Sequence, residues 1–165
     1  MRAPSLRNAH GFTMLELMIA VLVMGVVVAL SVPTIRGFND TLQLKGATST
    51  LESNLRKARS VAITRESNTL AIINPDTGWF AVVRDQGGDE NFDTWVSSGL
   101  ITDAIDLSSI DFNGENFVVF DSRGRPSNPG RIQLASALGS AREIRVSAGS
   151  GAISVREPAA AGAGN

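Results

Sequence analysis

The stretch that decides the fold is Gly11-Phe12-Thr13-Met14-Leu15-Glu16-Leu17-Met18-Ile19-Ala20-Val21-Leu22-Val23-Met24-Gly25-Val26-Val27-Val28-Ala29-Leu30-Ser31-Val32-Pro33. From Phe12 to Val32 it holds a single charge, Glu16. About 20 apolar residues suffice for a helix to cross a bilayer, and a core helix in so small a domain would show a polar face. The order of its parts is unusual. A secretory signal runs basic, apolar, then small residue and cleavage, and its apolar part is discarded. Here the order is basic (Arg2, Arg7), small (Gly11), then apolar. Cleavage after Gly11 removes a polar leader, keeps the apolar helix and leaves Phe12 with a free α-amine, a cation at neutral pH. Glu16 lies about one helical turn beyond that amine. An ionisable group inside a membrane segment costs several kcal/mol, about 3 on insertion scales, unless it is matched. Two roles stand open for Glu16: pairing with an amine of its own or a neighbouring chain, or sitting at the interface near a helix N-terminus, whose dipole favours an acid.

Taken together, Gly11-Phe12-Thr13-Met14-Leu15-Glu16-Leu17, the apolar run and Pro33 resemble the type III signal of type IV pilins and type II secretion pseudopilins, over Gly11 to about Phe38. The resemblance implies that Gly11 precedes the bond cut by prepilin peptidase and that Phe12 becomes N-methylated. It further implies that Glu16 aligns an incoming subunit with its neighbour's terminal amine, and that Pro33 bends or locally melts the helix. It also implies partners: the peptidase, other pilin or pseudopilin subunits, an inner-membrane assembly platform, and lipid before assembly.

Residues 1–11 form the leader and 12–33 the membrane and assembly helix. The arginines before the span place the N-terminus in the cytoplasm and the remainder in the periplasm. Residues 34–65 continue as an amphipathic helix, with Leu44, Ala47, Leu51, Leu55, Ala58 and Ala62 recurring every three or four positions as one apolar stripe. The two helices together reach about 80 Å at 1.5 Å per residue. Residues 66–156 read as a strand-rich head that buries the stripe. Strands are expected at 69–73, 79–83, 105–112, 117–121, 131–135, 143–147 and 152–156. Turns are expected at 74–78, at Asn113-Gly114 and at 148–151. Residues 84–99, with Asp85, Asp89, Glu90 and Asp93, read as a solvated acidic loop; oxygen-rich loops can hold calcium, but this spacing is not that of an EF-hand. Residues 157–165 read as a flexible tail. The fold class is α+β, a long N-terminal helix with a transmembrane first half packed on an antiparallel β-sheet head.

A second resemblance spans about residues 50–156. Lys57-Ala58-Arg59-Ser60-Val61-Ala62, the turn Asp121-Ser122-Arg123-Gly124-Arg125, and Arg142, Ile144, Val146 and Ser147 near the C-terminus are similar to the FimT/GspH group of minor pilins and pseudopilins. That similarity implies a non-enzymatic filament subunit. Elimination points the same way. The chain has no cysteine and no tyrosine, and its one histidine, His10, lies in the leader, so thiol, triad and histidine–metal chemistry are not to be expected of the mature chain, nor is a cofactor. Two other functions compete. Some FimT-like pilins take up DNA through arginines on the C-terminal hairpin; the matching turn here, Gly149-Ser150-Gly151-Ala152-Ile153, has none. Arg123, Arg125, Arg131, Arg142 and Arg145 remain as possible nucleic-acid contacts, but without the leader the side-chain count falls from 15 basic against 16 acidic to 13 against 16, a balance that does not attract nucleic acid. A single-span anchored binding protein, left uncleaved by the peptidase, is the other competitor.

Overall fold

The computed structural model describes residues 12–157, with side chains at all of them except 29 and 31–36. The expected leader at 1–11, Gly11 included, and the tail beyond 157 lie outside the described residues. The chain divides into two compact units, with the boundary between Phe38 and Asn39.

A single helix, α1 (Met14–Arg65, 52 residues), contributes to both. Pro33 falls inside it rather than at a break. From Met14 to Val28 the side chains are apolar apart from Glu16, and all are exposed: Leu15, Met18, Leu22 and Met24 are each more than 60% accessible. Among the described residues no helix is long and apolar enough to cross a membrane.

In the second unit α1 behaves as its periodicity predicts. Leu44, Leu51, Leu55, Ala58 and Ala62 are buried and Ala47 packs beside them. Thr48 joins the same face because its hydroxyl is satisfied locally, donating to the Leu44 carbonyl at 2.7 Å. The helix stops by reversing its backbone: Glu66 adopts φ 51° and the Ser67 N–H bonds the Ala62 carbonyl at 3.2 Å, the closing bond of a Schellman motif. Glutamate in place of glycine at that left-handed position costs about 1 kcal/mol.

Among the described residues eight strands follow: β1 (Thr69–Ile73), β2 (Trp79–Asp85), β3 (Phe92–Leu100), β4 (Ile105–Asp111), β5 (Phe117–Phe120), β6 (Gly130–Ser136), β7 (Ala141–Val146) and β8 (Ile153–Arg156). All pairings are antiparallel. They form two four-stranded sheets, sheet A in the order β3-β2-β1-β5 and sheet B in the order β4-β6-β7-β8. Phe80, Val82, Val118 and Phe120 of sheet A and Leu107, Ile132, Leu134, Ile144 and Val146 of sheet B share one core with the α1 stripe.

The antiparallel head is built as two sheets. One expectation needs correction. Residues 84–99 are not all loop, since β3 occupies Phe92–Leu100. Asn113-Gly114 does make a tight turn, with φ of 61° and 91° and the Phe112 N–H bonding the Glu115 carbonyl, the two positive angles of a type I′ turn. Yet β4 and β5 do not continue as a hairpin. One Phe112–Glu115 bridge separates them, and β4 then turns to β6 while β5 joins β1. Phe112, fully buried, anchors the point of divergence.

Candidate functional site

Two regions carry the residues singled out by sequence. The first is the opening turn of α1. Thr13 stands before the first helical residue, and its hydroxyl accepts the Glu16 N–H at 3.2 Å. This is the N-cap half of a capping box, in which a threonine serves the third residue of the helix and an acid occupies that place. Phe12 is 83% exposed and Glu16 is exposed one turn into the helix. Glu16 is thus the only ionic side chain in a fully apolar, unburied turn, and the cap fixes where the helix begins. Capping explains the threonine. It does not explain why every neighbour of the acid is apolar.

The second region joins the end of α1 to two turns of the head. Arg56 donates to Glu52 at 2.7 Å and to the Ile153 carbonyl of β8 at 2.9 Å. One turn later Arg59 Nε donates to the Gly124 carbonyl at 3.1 Å. Gly124 (φ 74°) closes the 121–125 turn, and a Cβ there would lie 2.6 Å from Ile63 Cδ1. Gly151 (φ 62°) brings the 148–151 turn against the same carbonyl, with which a Cβ would collide. Neither arginine belongs to the apolar stripe, and the stripe's period gives no hint that they fasten the helix. The sign available was two arginines one helical turn apart, facing glycine-bearing turns.

Asp121 organises the 121–125 turn. One carboxylate oxygen accepts the N–H groups of Arg123 (2.9 Å) and Arg125 (2.8 Å), and the other accepts Arg125 Nε at 2.8 Å. Partial burial pushes the Asp121 carboxyl up, but the bonds from Arg125 and Arg123, with the Arg125 charge, outweigh it and hold the group below its ordinary value. A carboxyl lowered in the folded state adds stability above its unfolded pKa of about 3.9 and loses it as the pH falls through the folded value. Thermal unfolding of Asp121→Asn should therefore match the parent less well at pH 6 than at pH 3. The gap is expected to be about 1–3 °C, as suits a partly exposed pair.

The other arginines do not converge. Arg125 is held by Asp121 at 2.8 Å and Arg145 by Glu143 at 3.1 Å. Arg131 and Arg145 are cross-strand partners and line an open groove of about 850 Å³ with Asp111, Asn113 and Asn128. Arg142 pairs in register with Leu134 instead, and Arg123 belongs to the other turn. The acidic segment before β3 has an internal use: buried Asp85 accepts the N–H groups of Gly88 (2.7 Å) and Glu90 (3.0 Å), tying the loop shut. Among the described residues no group of acids is placed to hold a metal ion.

A long N-terminal helix with an apolar, uncovered first unit, its later part buried in an antiparallel head, is the build of a pilin-class subunit. The model described as type II transport protein GspH matches residues 47–151, and the prokaryotic N-terminal methylation motif matches residues 6–32. The chain belongs to the GspH family, within the superfamily of type IV pilins and type II secretion pseudopilins that supplies minor pilins and minor pseudopilins. Its fold is similar to that of the minor pseudopilin EpsH from the type 2 secretion system of Vibrio cholerae, at TM-score 0.57 and 12% identity over 70% of this chain and 98% of that one. A second EpsH structure gives 0.58 and 12% over 71% and 95%. The type IV minor pilin FimU of Pseudomonas aeruginosa gives 0.53 and 12% over 68% and 92%. At that identity the likeness is one of fold. No curated protein matches the chain.

Proposed function

We propose that this chain is a non-enzymatic minor subunit that is cut after Gly11 by prepilin peptidase, N-methylated on Phe12, held in the inner membrane with its head in the periplasm, and then built into or used to prime a filament. The observation that carries this reading is the uncovered apolar surface of α1 from Met14 to Val28. Such a helix needs lipid around it or other helices, and residues 12–32 are long enough for the former. During transfer to a filament core, Glu16 meets the α-amine of a neighbouring subunit and both charges are neutralised. Pro33 is where the helix gives way to fit its neighbours. The partners are the peptidase, an inner-membrane platform and other subunits. Nucleic acid is not among them, because two of the candidate arginines are taken by Asp121 and Glu143 and the 148–151 turn offers no cation.

N-terminal sequencing of the chain recovered from membranes tests the first step. The parent should begin at Phe12, and Gly11→Val should keep the leader. A parent that begins elsewhere removes the assembly reading and leaves the anchored binding protein.

A further inference from the structure

The two sheets differ on their outer faces. Outward positions of sheet B carry Arg131, Gln133, Glu143 and Arg145 in cross-strand pairs, the polar outside usual for a half-buried antiparallel sheet. Sheet A is apolar there too. Its register sets Leu70 opposite Val83 and Val119, and Ile72 opposite Ala81 and Phe117. Ala81 and Val83 are buried yet stand outside the shared core. Towards β3 this face ends in Trp79, Trp95 and Leu100, of which Trp95 and Leu100 are each 63% exposed. The two indole rings meet edge to face, 6.1 Å apart.

The two edges of sheet A also differ. The β5 edge is closed by the segment that follows it: the Ser127 N–H bonds the Val119 carbonyl, Ser127 Oγ accepts the Val119 N–H, and Phe120 bridges to Pro126. The β3 edge has no such cover among the described residues. Of its backbone groups, the Val96 carbonyl takes a bond from outside the sheet, from Lys57 Nζ at 3.3 Å. Phe92–Leu100 is the longest strand among the described residues and contains no lysine or proline, residues that often blunt an edge. Register shifts interrupt it between Val82 and Val83 and between Arg84 and Asp85 of its partner, so Ser97–Leu100 runs as a regular ladder.

Both edge and charge say what belongs there. A bare strand edge is matched in hydrogen-bond spacing by another extended backbone. Exposed acids flank β3 at both ends, Asp89, Glu90 and Asp93 before or at its start and Asp103 after it. A second copy of β3 would set acid against acid whichever way it ran. We propose that the β3 edge and the Trp79–Trp95 face of sheet A form a docking site for an extended apolar segment of a different protein chain, carrying basic residues at its ends, which adds as a fifth strand of sheet A. This stands apart from the trimming and assembly steps above, since it uses neither Gly11 nor Glu16.

Trp79 and Trp95 are the only tryptophans of the chain, so its indole emission reports on this face alone. The probe is an eight-residue peptide of alternating valine and threonine with lysine at both ends, titrated into the full chain in detergent micelles. The expected result is a saturable blue shift. Binding should weaken about tenfold or more when alternate peptide amides are N-methylated, and about fivefold when the lysines become glutamates. Trp95→Ala, at an exposed position, should keep the fold by circular dichroism and lose most of the binding, read by calorimetry. Equal binding of the N-methylated peptide, no saturation up to about 1 mM, or self-association of the chain through this edge would each overturn the proposal.

Discussion

Glu16→Ala should be inserted and trimmed like the parent and yet be absent from filaments. Removing a lone carboxylate from an apolar helix lowers the cost of placing it in lipid by about 3 kcal/mol, so membrane retention should not suffer. The Thr13 cap acts through the Glu16 backbone N–H, which alanine keeps, so the helix start should survive as well. What disappears is the acid that would be matched by a neighbour's amine in a low-dielectric core. A matched pair worth about 2–3 kcal/mol corresponds to a roughly 30- to 160-fold loss of incorporation. The measurement is the ratio of subunit in the sheared or crosslinked filament fraction to subunit in the membrane fraction. Glu16→Gln separates charge from shape, and should fail nearly as badly. Parent-like incorporation of both would leave Glu16 as an ordinary first-turn acid.

The second large effect concerns stability. Gly151→Ala should cost the head about 3 kcal/mol and lower its melting temperature by roughly 10 °C. Two penalties combine. Alanine at φ 62° bears the left-handed cost of about 1–2 kcal/mol, and its methyl group runs into the Gly124 carbonyl oxygen, which is itself pinned by Arg59. A backbone oxygen cannot rotate away as a side-chain tip would. Gly149 supplies the control: it lies in the same turn at φ 70° with open space around it, so Gly149→Ala should show only the first penalty, about 1 kcal/mol. Equal destabilisation by both substitutions would mean that the contact between the turns contributes nothing.

How much of this was legible in the sequence depends on the range of the signal. The α1 stripe from Leu44 to Ala62 was readable because a 3.6-residue period needs no knowledge of the partner surface. The β1–β2 and β7–β8 hairpins were readable because short turns join neighbouring strands. The division into two sheets was not, since β1–β5 and β4–β6 pair across long intervals. Asn113-Gly114 shows the limit well: its turn chemistry was right, but what two strands do after a turn is decided elsewhere. β3 was missed because the acidic, glycine-bearing residues before it set the tone of the whole segment, although Thr94, Trp95 and Val96 are strong strand formers. The opening motif at Gly11–Glu16 was legible as a linear signal. The junction of Arg59, Gly124 and Gly151 was not, because it gathers three distant segments around one carbonyl.

The strand order of the head bears on how it matures. β4 of sheet B is made before β5 of sheet A, so neither layer can be finished while the other is unstarted. A polypeptide delivered amino end first offers Leu44, Leu51 and Leu55 to water while their cover is still being supplied. Tertiary structure must then arrive late and nearly all at once. For such a chain the vulnerable interval is the wait before β8 at residue 156, and a helper that shields the greasy ridge in the meantime would raise the yield of mature subunit without touching its final stability.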